Sequence, residues 1–151
     1  MISLDIAPTA GRTRMLGIFF LVLVVMLGGC ASDDERLAEF MERGEAYVEQ
    51  SLNEEAIIEF KNVLQIDPNH ARAHEALSIA YLVVSKPREA YWEMSETVRL
   101  DPTNINARLR YGSISAVVGD HDLAREQADA ILELDPNRAQ AFTLRAQALE
   151  A

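Results

Sequence analysis

The sequence predicts an all-α solenoid of stacked helical hairpins, and three observations predict it. The pair Asp-Pro stands at Asp67-Pro68, Asp101-Pro102 and Asp135-Pro136, a return every 34 residues that each time closes an apolar helical run. Counted from Leu37, small residues recur at the eighth position (Gly44, Ser78, Gly112, Ala146) and the twentieth (Ala56, Ala90, Ala124), where the two helices of a hairpin approach too closely for a large side chain. Apolar residues at 3- and 4-residue intervals in each second helix place one face inward. An array of this kind offers surface rather than a catalytic pocket, which favours a binding scaffold.

The chain has 151 residues, 49% hydrophobic and 25% charged, a globular composition. Its first element is a leader, residues 1–29. Arg12 and Arg14 precede an uncharged run from Met15 to Leu27, and Gly28 and Gly29 follow it. Thirteen helical residues rise about 20 Å against a hydrocarbon core of about 30 Å, too short for a comfortable span and suited to a signal-peptide h-region. Leu27-Gly28-Gly29-Cys30 resembles the bacterial lipoprotein lipobox. That resemblance implies cleavage before Cys30 and acylation of its thiol, leaving the mature protein anchored to a membrane without spanning it. The alternative is a cysteine that happens to end a signal anchor. As the only cysteine, it forms no disulfide within the chain, which suits lipidation. Ala31 stands where an aspartate would retain such a lipoprotein in the inner membrane, so the resemblance implies the outer membrane, facing the periplasm. Residues 30–36 are expected to be a lipidated tether of about 20 Å at full extension.

Three complete units follow, 37–70, 71–104 and 105–138, with 139–151 as a closing helix or the start of a fourth. Tyr47 and Tyr81 at position eleven, Phe60 and Met94 at twenty-four, Val63 and Ile131 at twenty-seven, Leu64, Val98 and Leu132 at twenty-eight, and Ile66, Leu100 and Leu134 at thirty are the expected core. Gln50 to Asn53, Ser85-Lys86-Pro87 and Gly119-Asp120 are turns, with Pro87 at a helix's first position and Asn53 or Asp120 as caps. Proline at position thirty-two stops each second helix. Phe142, Leu144 and Leu149 make 139–151 ambiguous between a polar cap and the beginning of a longer array.

Small residues at eight and twenty, an aromatic at eleven and proline at thirty-two resemble the tetratricopeptide repeat (TPR) family across about 115 residues. Departures are Arg43 at position seven, His74 at four, Ser115 at eleven and Ala128 at twenty-four, from which an imperfectly docked first helix and a thinly packed third unit are expected. The resemblance implies a right-handed superhelix whose first helices line a concave groove. Positions two, five, nine, twelve and thirteen would face it: Ala38, Met41, Glu45, Val48 and Glu49; Arg72, Glu75, Ile79, Leu82 and Val83; Asn106, Leu109, Ser113, Ala116 and Val117. The family's peptide-carboxylate clamps use lysine and asparagine in the first unit and basic residues in the third. Met41, Glu45 and Asn106 stand there instead, with only Arg110 fitting, so the expected ligand is an apolar helix or strand of a protein partner, with the groove centred on the second unit. Ile58 and Trp92, both at position twenty-two, form either a convex interface patch or two isolated exposed side chains.

The formal charge of -10 becomes -11 once residues 1–29 are removed, with 12 basic against 23 acidic residues, which argues against nucleic acid and anionic lipid as ligands. No phosphate loop, nucleophile elbow or cysteine-histidine pair is present. His70 and His74 are four apart, but one falls in a turn and the other at a packing position, so neither a metal site nor a cofactor is expected. Two readings follow from the resemblance to lipid-anchored TPR proteins of pilus biogenesis and of exopolysaccharide and exosortase systems. One is an envelope assembly scaffold for a pilus, secretion or polysaccharide-export component. The other is an accessory module of an envelope enzyme such as a peptidoglycan or polysaccharide synthase. The chain itself is expected not to be an enzyme.

Overall fold

The computed structural model describes residues 32–149. The expected signal segment, Cys30 and its acylation lie outside the described residues. Among them the elements are α1 (Asp33–Glu49), α2 (Asn53–Ile66), α3 (Ala71–Val83), α4 (Pro87–Leu100), α5 (Ile105–Val118), α6 (His121–Leu134) and α7 (Ala139–Leu149), with no strand. The hairpins are α1–α2, α3–α4 and α5–α6. Each second helix also packs on the next first helix, and α7 packs on α6 and α5. No described helix is long and apolar enough to cross a membrane.

The Asp-Pro column does more than stop a helix. The backbone N–H groups of Asp67, Asp101 and Asp135 close the last turn onto Val63, Thr97 and Ile131. Their Oδ1 atoms accept from the N–H groups two residues on, of Asn69, Thr103 and Asn137. Each aspartate therefore ends one helix and shapes the turn into the next. His70 Nδ1 and Asn104 Oδ1 then accept from the third N–H of α3 and α5.

The turns within hairpins share a second column, at position fifteen. Ser51, Ser85 and Gly119 all have positive φ (61°, 59° and 88°). The N–H of the following residue reaches back five, Leu52 to Tyr47, Lys86 to Tyr81 and Asp120 to Ser115, at 2.8–2.9 Å. This is the Schellman arrangement, for which glycine is best suited. Asp120 caps α6 through Leu123 N–H and Pro87 opens α4. Asn53 is not a cap as expected: it is the first residue of α2, and its amide donates to the Ser51 carbonyl.

A continuous core runs from Met41 through Phe60, Val63, Leu77, Tyr81 and Met94 to Tyr111 and Ile114. Gly44 and Gly112 are buried in α1 and α5, and Ser78, fully buried between them, donates from Oγ to the Ala90 carbonyl at 2.8 Å. Ala56, Ala90 and Ala124 are each 0% exposed. Position thirty is less internal than expected, with Leu134 half exposed. The third unit is thin as expected, and its second cluster consists of Ala124, Ala128, Leu144 and Ala148.

Two expectations about α1 are corrected. Asp33 to Arg36 are helix rather than tether: three acidic side chains occupy the first turn, where the helix dipole favours them, and Arg36 pairs with Asp33 at 3.1 Å. The helix is also firmly docked. Columns three, seven and ten hold buried Ala73, Leu77 and Ala80 in α3 and Ala107, Tyr111 and Ile114 in α5. In α1 they hold Glu39, Arg43 and Ala46. Arg43 at position seven is half exposed: it pairs with Glu39 and crosses the hairpin to Glu59 at 3.1 Å, with its guanidinium over Phe40.

Candidate partner-binding groove

First-helix side chains at positions two, five, nine, twelve and thirteen are the ones the family resemblance places on the concave face. Two ion pairs cross between neighbouring first helices, Glu45 with Arg72 and Glu75 with Arg110 at 3.6 Å. Both are half exposed, so each contributes at most about 1 kcal/mol. They occupy Glu45, Arg72, Glu75 and Arg110 in cis, the last being the single residue matching a carboxylate clamp, while Glu49 is exposed on the same face. Asn106 likewise accepts from Arg138.

The apolar members are left uncovered. Leu82 is 39%, Val83 60% and Val117 71% exposed, with Val48 at 39%. Ile79 and Leu109 are half buried. Met41 is the correction: at 7% exposure it belongs to the core rather than to a displayed surface. A flexible apolar chain can lie down onto the core, whereas Glu75 at the same position keeps its carboxylate on Arg110.

Three hollows mark this face. Leu37, Ala38, Met41, His70 and Arg72 line part of one of about 570 Å³ at the α1 end. Val48, Phe60, Ala76 and Ile79 line most of one of about 330 Å³ between α1 and α3. The third, about 520 Å³, lies between α3, α5 and α7, with Leu82, Leu109, Ile114 and Leu144 as apolar lining and Arg110, Ser113, Gln140, Thr143 and Gln147 as polar lining. That cleft sits one unit further along than the expected centre. The groove expected from the sequence did not include Gln140, Thr143 and Gln147, yet they occupy positions two, five and nine of the segment after residue 138. Extending the same columns past residue 138 finds them.

On the second helices, Ile58 and Trp92 are 59% and 68% exposed, and the Tyr91 ring meets Trp92 edge-on at 5.5 Å. The outer face of α6 carries Asp122, Glu126, Asp129 and Glu133 around a shallow hollow. His70 and His74 are both engaged in hydrogen bonds, His70 as a cap and His74 with Glu93 and the Pro68 carbonyl. No group of three or more His, Cys, Asp or Glu among the described residues could hold a metal ion.

Three hairpins with small residues at their crossings, joined at a 34-residue period and followed by a further helix packed on the third, define a tetratricopeptide-type solenoid, and that is the fold of this chain. No protein-family model matches it. By sequence the chain is 30% identical over 110 residues to DnaJ homolog subfamily C member 7 of Mus musculus, covering 72% of this chain and 22% of the relative. It is 26% identical over 103 residues to the type IV pilus assembly protein PilF of Pseudomonas aeruginosa, covering 60% and 41%. The chain thus spans less than half the length of either. Among solved structures it is similar to the first TPR of Spaghetti (RPAP3) bound to the HSP90 peptide SRMEEVD, at TM-score 0.69 and 22% identity over 81% of this chain and 97% of that one. It is also similar to the MamA protein, at TM-score 0.68 and 21% identity over 76% and 62%. At these identities the likeness is one of fold.

Proposed function

We propose that this protein is a membrane-anchored scaffold that captures an apolar helix or strand of a partner protein in its first-helix groove and so assists assembly of an envelope complex, such as a pilus, secretion or polysaccharide-export system. One observation carries the reading: Glu45 pairs with Arg72 and Glu75 with Arg110 across the first helices, while Leu82, Val83 and Val117 stand exposed beside a cleft lined by Leu109 and Leu144. Desolvating such side chains favours association by roughly 25 cal/mol per Å² of apolar surface. The solved RPAP3 domains carry chaperone peptides ending in EEVD, and the clamp positions here do not suit such a carboxylate. The envelope setting is supported by the lipobox-like Leu27-Gly28-Gly29-Cys30 and by the similarity to PilF, a pilus assembly protein. The anchor in this reading is acylated Cys30, in the outer membrane's periplasmic leaflet.

The test is Leu82→Asp with Leu109→Asp in the full chain, after circular dichroism has shown the helices intact. Photo-cross-linking from Ile79 in cells is expected to capture a partner in the parent and to lose it in the double variant. Undiminished capture by the folded variant refutes the groove. Cys30→Ala is expected to move the protein out of the membrane fraction, and an unchanged fraction refutes the anchor.

A further inference from the structure

Position four of each unit holds Phe40, His74, Arg108 and Phe142. His74 and Arg108 build the same three-way connection. Arg108 donates from Nε to the Pro102 carbonyl and from a terminal nitrogen to Gln127 Oε1, both at 2.7 Å. His74 Nε2 lies 3.1 Å from the Pro68 carbonyl and Nδ1 lies 2.8 Å from Glu93 Oε2. Each connection ties a first helix to its own second helix and to the proline turn leading in from the preceding unit.

The chemistry of the two differs. A proline carbonyl and a carboxylate are both acceptors, so the His74 ring meets both only by donating from both nitrogens, as imidazolium. Neutral imidazole has one N–H, and one of the two approaches then becomes lone pair against lone pair. His74 is 8% exposed, where water cannot readily stand in for the lost partner. Arg108 stays charged at any working pH.

We propose that His74 is a pH-sensitive latch: protonated, it clamps α3 to α4 and to the Pro68 turn, and on losing its proton it loosens the junction between the first and second units, while the Arg108 latch one unit along stays closed. The groups acting on the ring agree. On α4, Glu93 and Glu96 both favour the cation, and Arg99 is held by Glu96 and Asn69. On α2, Glu59 is taken by Arg43 and Lys61 lies over the Tyr81 ring. On α3 itself, His70 accepts at the cap, Arg72 pairs with Glu45 and Glu75 with Arg110. The hydrogen bond to Glu93, against the opposing effect of burial, raises the imidazole above its ordinary 6.5. A raised value means the latch's stabilisation is complete below about pH 6.5 and is lost as pH rises through the folded-state value.

The test uses the detergent-solubilised full chain. Nitrogen-15 spectra of its three histidines, assigned by substitution, report the state of each ring nitrogen. His74 is expected to carry protons on both nitrogens at pH 6 and to titrate above 6.5, with Glu93→Gln lowering its midpoint. In urea unfolding, the parent's folding constant is expected to fall between pH 6 and pH 9, tenfold for each unit separating folded and unfolded values, and His74→Phe is expected to lack that fall. A His74 ring already neutral at pH 6.5, a midpoint unmoved in Glu93→Gln, or equal pH dependence in parent and His74→Phe overturns the proposal. Should His74→Phe not fold, the two spectroscopic outcomes still decide it.

Discussion

Gly44→Ala tests the hairpin crossing, because two opposing effects meet there and their magnitudes can be set against each other. A methyl at Gly44 would lie 2.4, 2.7 and 2.9 Å from three atoms of the Phe60 ring, so the ring must retreat by about 1 Å to reach ordinary contact. Phe60 is 1% exposed within a continuous core, so the retreat displaces its neighbours, and overpacking of this kind costs about 1–3 kcal/mol. Alanine's advantage over glycine inside a helix returns about 1 kcal/mol. With three ring atoms in conflict the cost falls in the upper part of its range, leaving a net loss of roughly 1–2 kcal/mol, or about 4–8 °C in Tm for a body of this size. Gly112→Ala is the control. Its methyl would meet Leu144 Cδ2 at 2.5 Å and Gln127 Cβ at 3.3 Å, the nearer being the far end of one side chain rather than three atoms of a rigid ring, so its loss is expected to stay below that of Gly44→Ala. Urea unfolding of both variants, with Phe60→Leu in a double-mutant cycle, measures this. The cycle is expected to show at least about 1 kcal/mol of favourable coupling between Gly44→Ala and Phe60→Leu. A Gly44→Ala protein about 1 kcal/mol more stable than the parent, as propensity alone dictates, would refute the crossing as described.

Further outcomes follow from the turns, caps and groove. Ser51→Gly and Ser85→Gly relieve left-handed backbone and are expected to stabilise by up to about 1 kcal/mol each, whereas Gly119→Ala, with open space around its Cβ but φ of 88°, is expected to destabilise by roughly 1–2 kcal/mol in thermal melts. Asp120→Ala removes the α6 cap and the acceptor for the Tyr91 hydroxyl, and is expected to cost about 1–2 kcal/mol in urea unfolding. Because Glu93 raises the His74 imidazole, stability is expected to decline on the alkaline side of pH 6.5, and a curve flat from pH 6 to pH 9 contradicts this. Arg110→Ala is expected to leave partner capture intact, since Arg110 is already engaged with Glu75, and lost capture would show a carboxylate-reading groove.

The hairpin columns were legible because steric exclusion leaves a mark in the residue type: in the three complete units the structure buries Gly44, Ser78, Gly112, Ala56, Ala90 and Ala124 at positions eight and twenty, whereas Ala146, with no described second helix against it, is exposed. The position-fifteen column was hidden, since serine at 51 and 85 does not announce a left-handed backbone as Gly119 does. Arg43 read as a packing fault because spacing does not reveal its pairing with Glu39 and Glu59. Asp33 to Arg36 read as tether because polar residues carry no apolar period, although acidic side chains in a first turn favour a helix. Of the groove positions that the family resemblance implies, Leu82, Val83 and Val117 are exposed, while Met41 depended on a side-chain packing that spacing does not encode. His74 and Arg108 share a role visible only once Pro68 and Pro102 are in place.

Position-by-position photo-cross-linking around the solenoid tests the central claim most directly. Probes at Ile79, Leu109, Val117 and Gln147 line the first-helix face, and probes at Ile58 and Trp92 stand on the second helices. The groove reading predicts one shared partner from the first set, lost with Leu82→Asp and Leu109→Asp, and none from the second. The same partner captured at Ile58 and Trp92, with nothing captured from the groove, would contradict it.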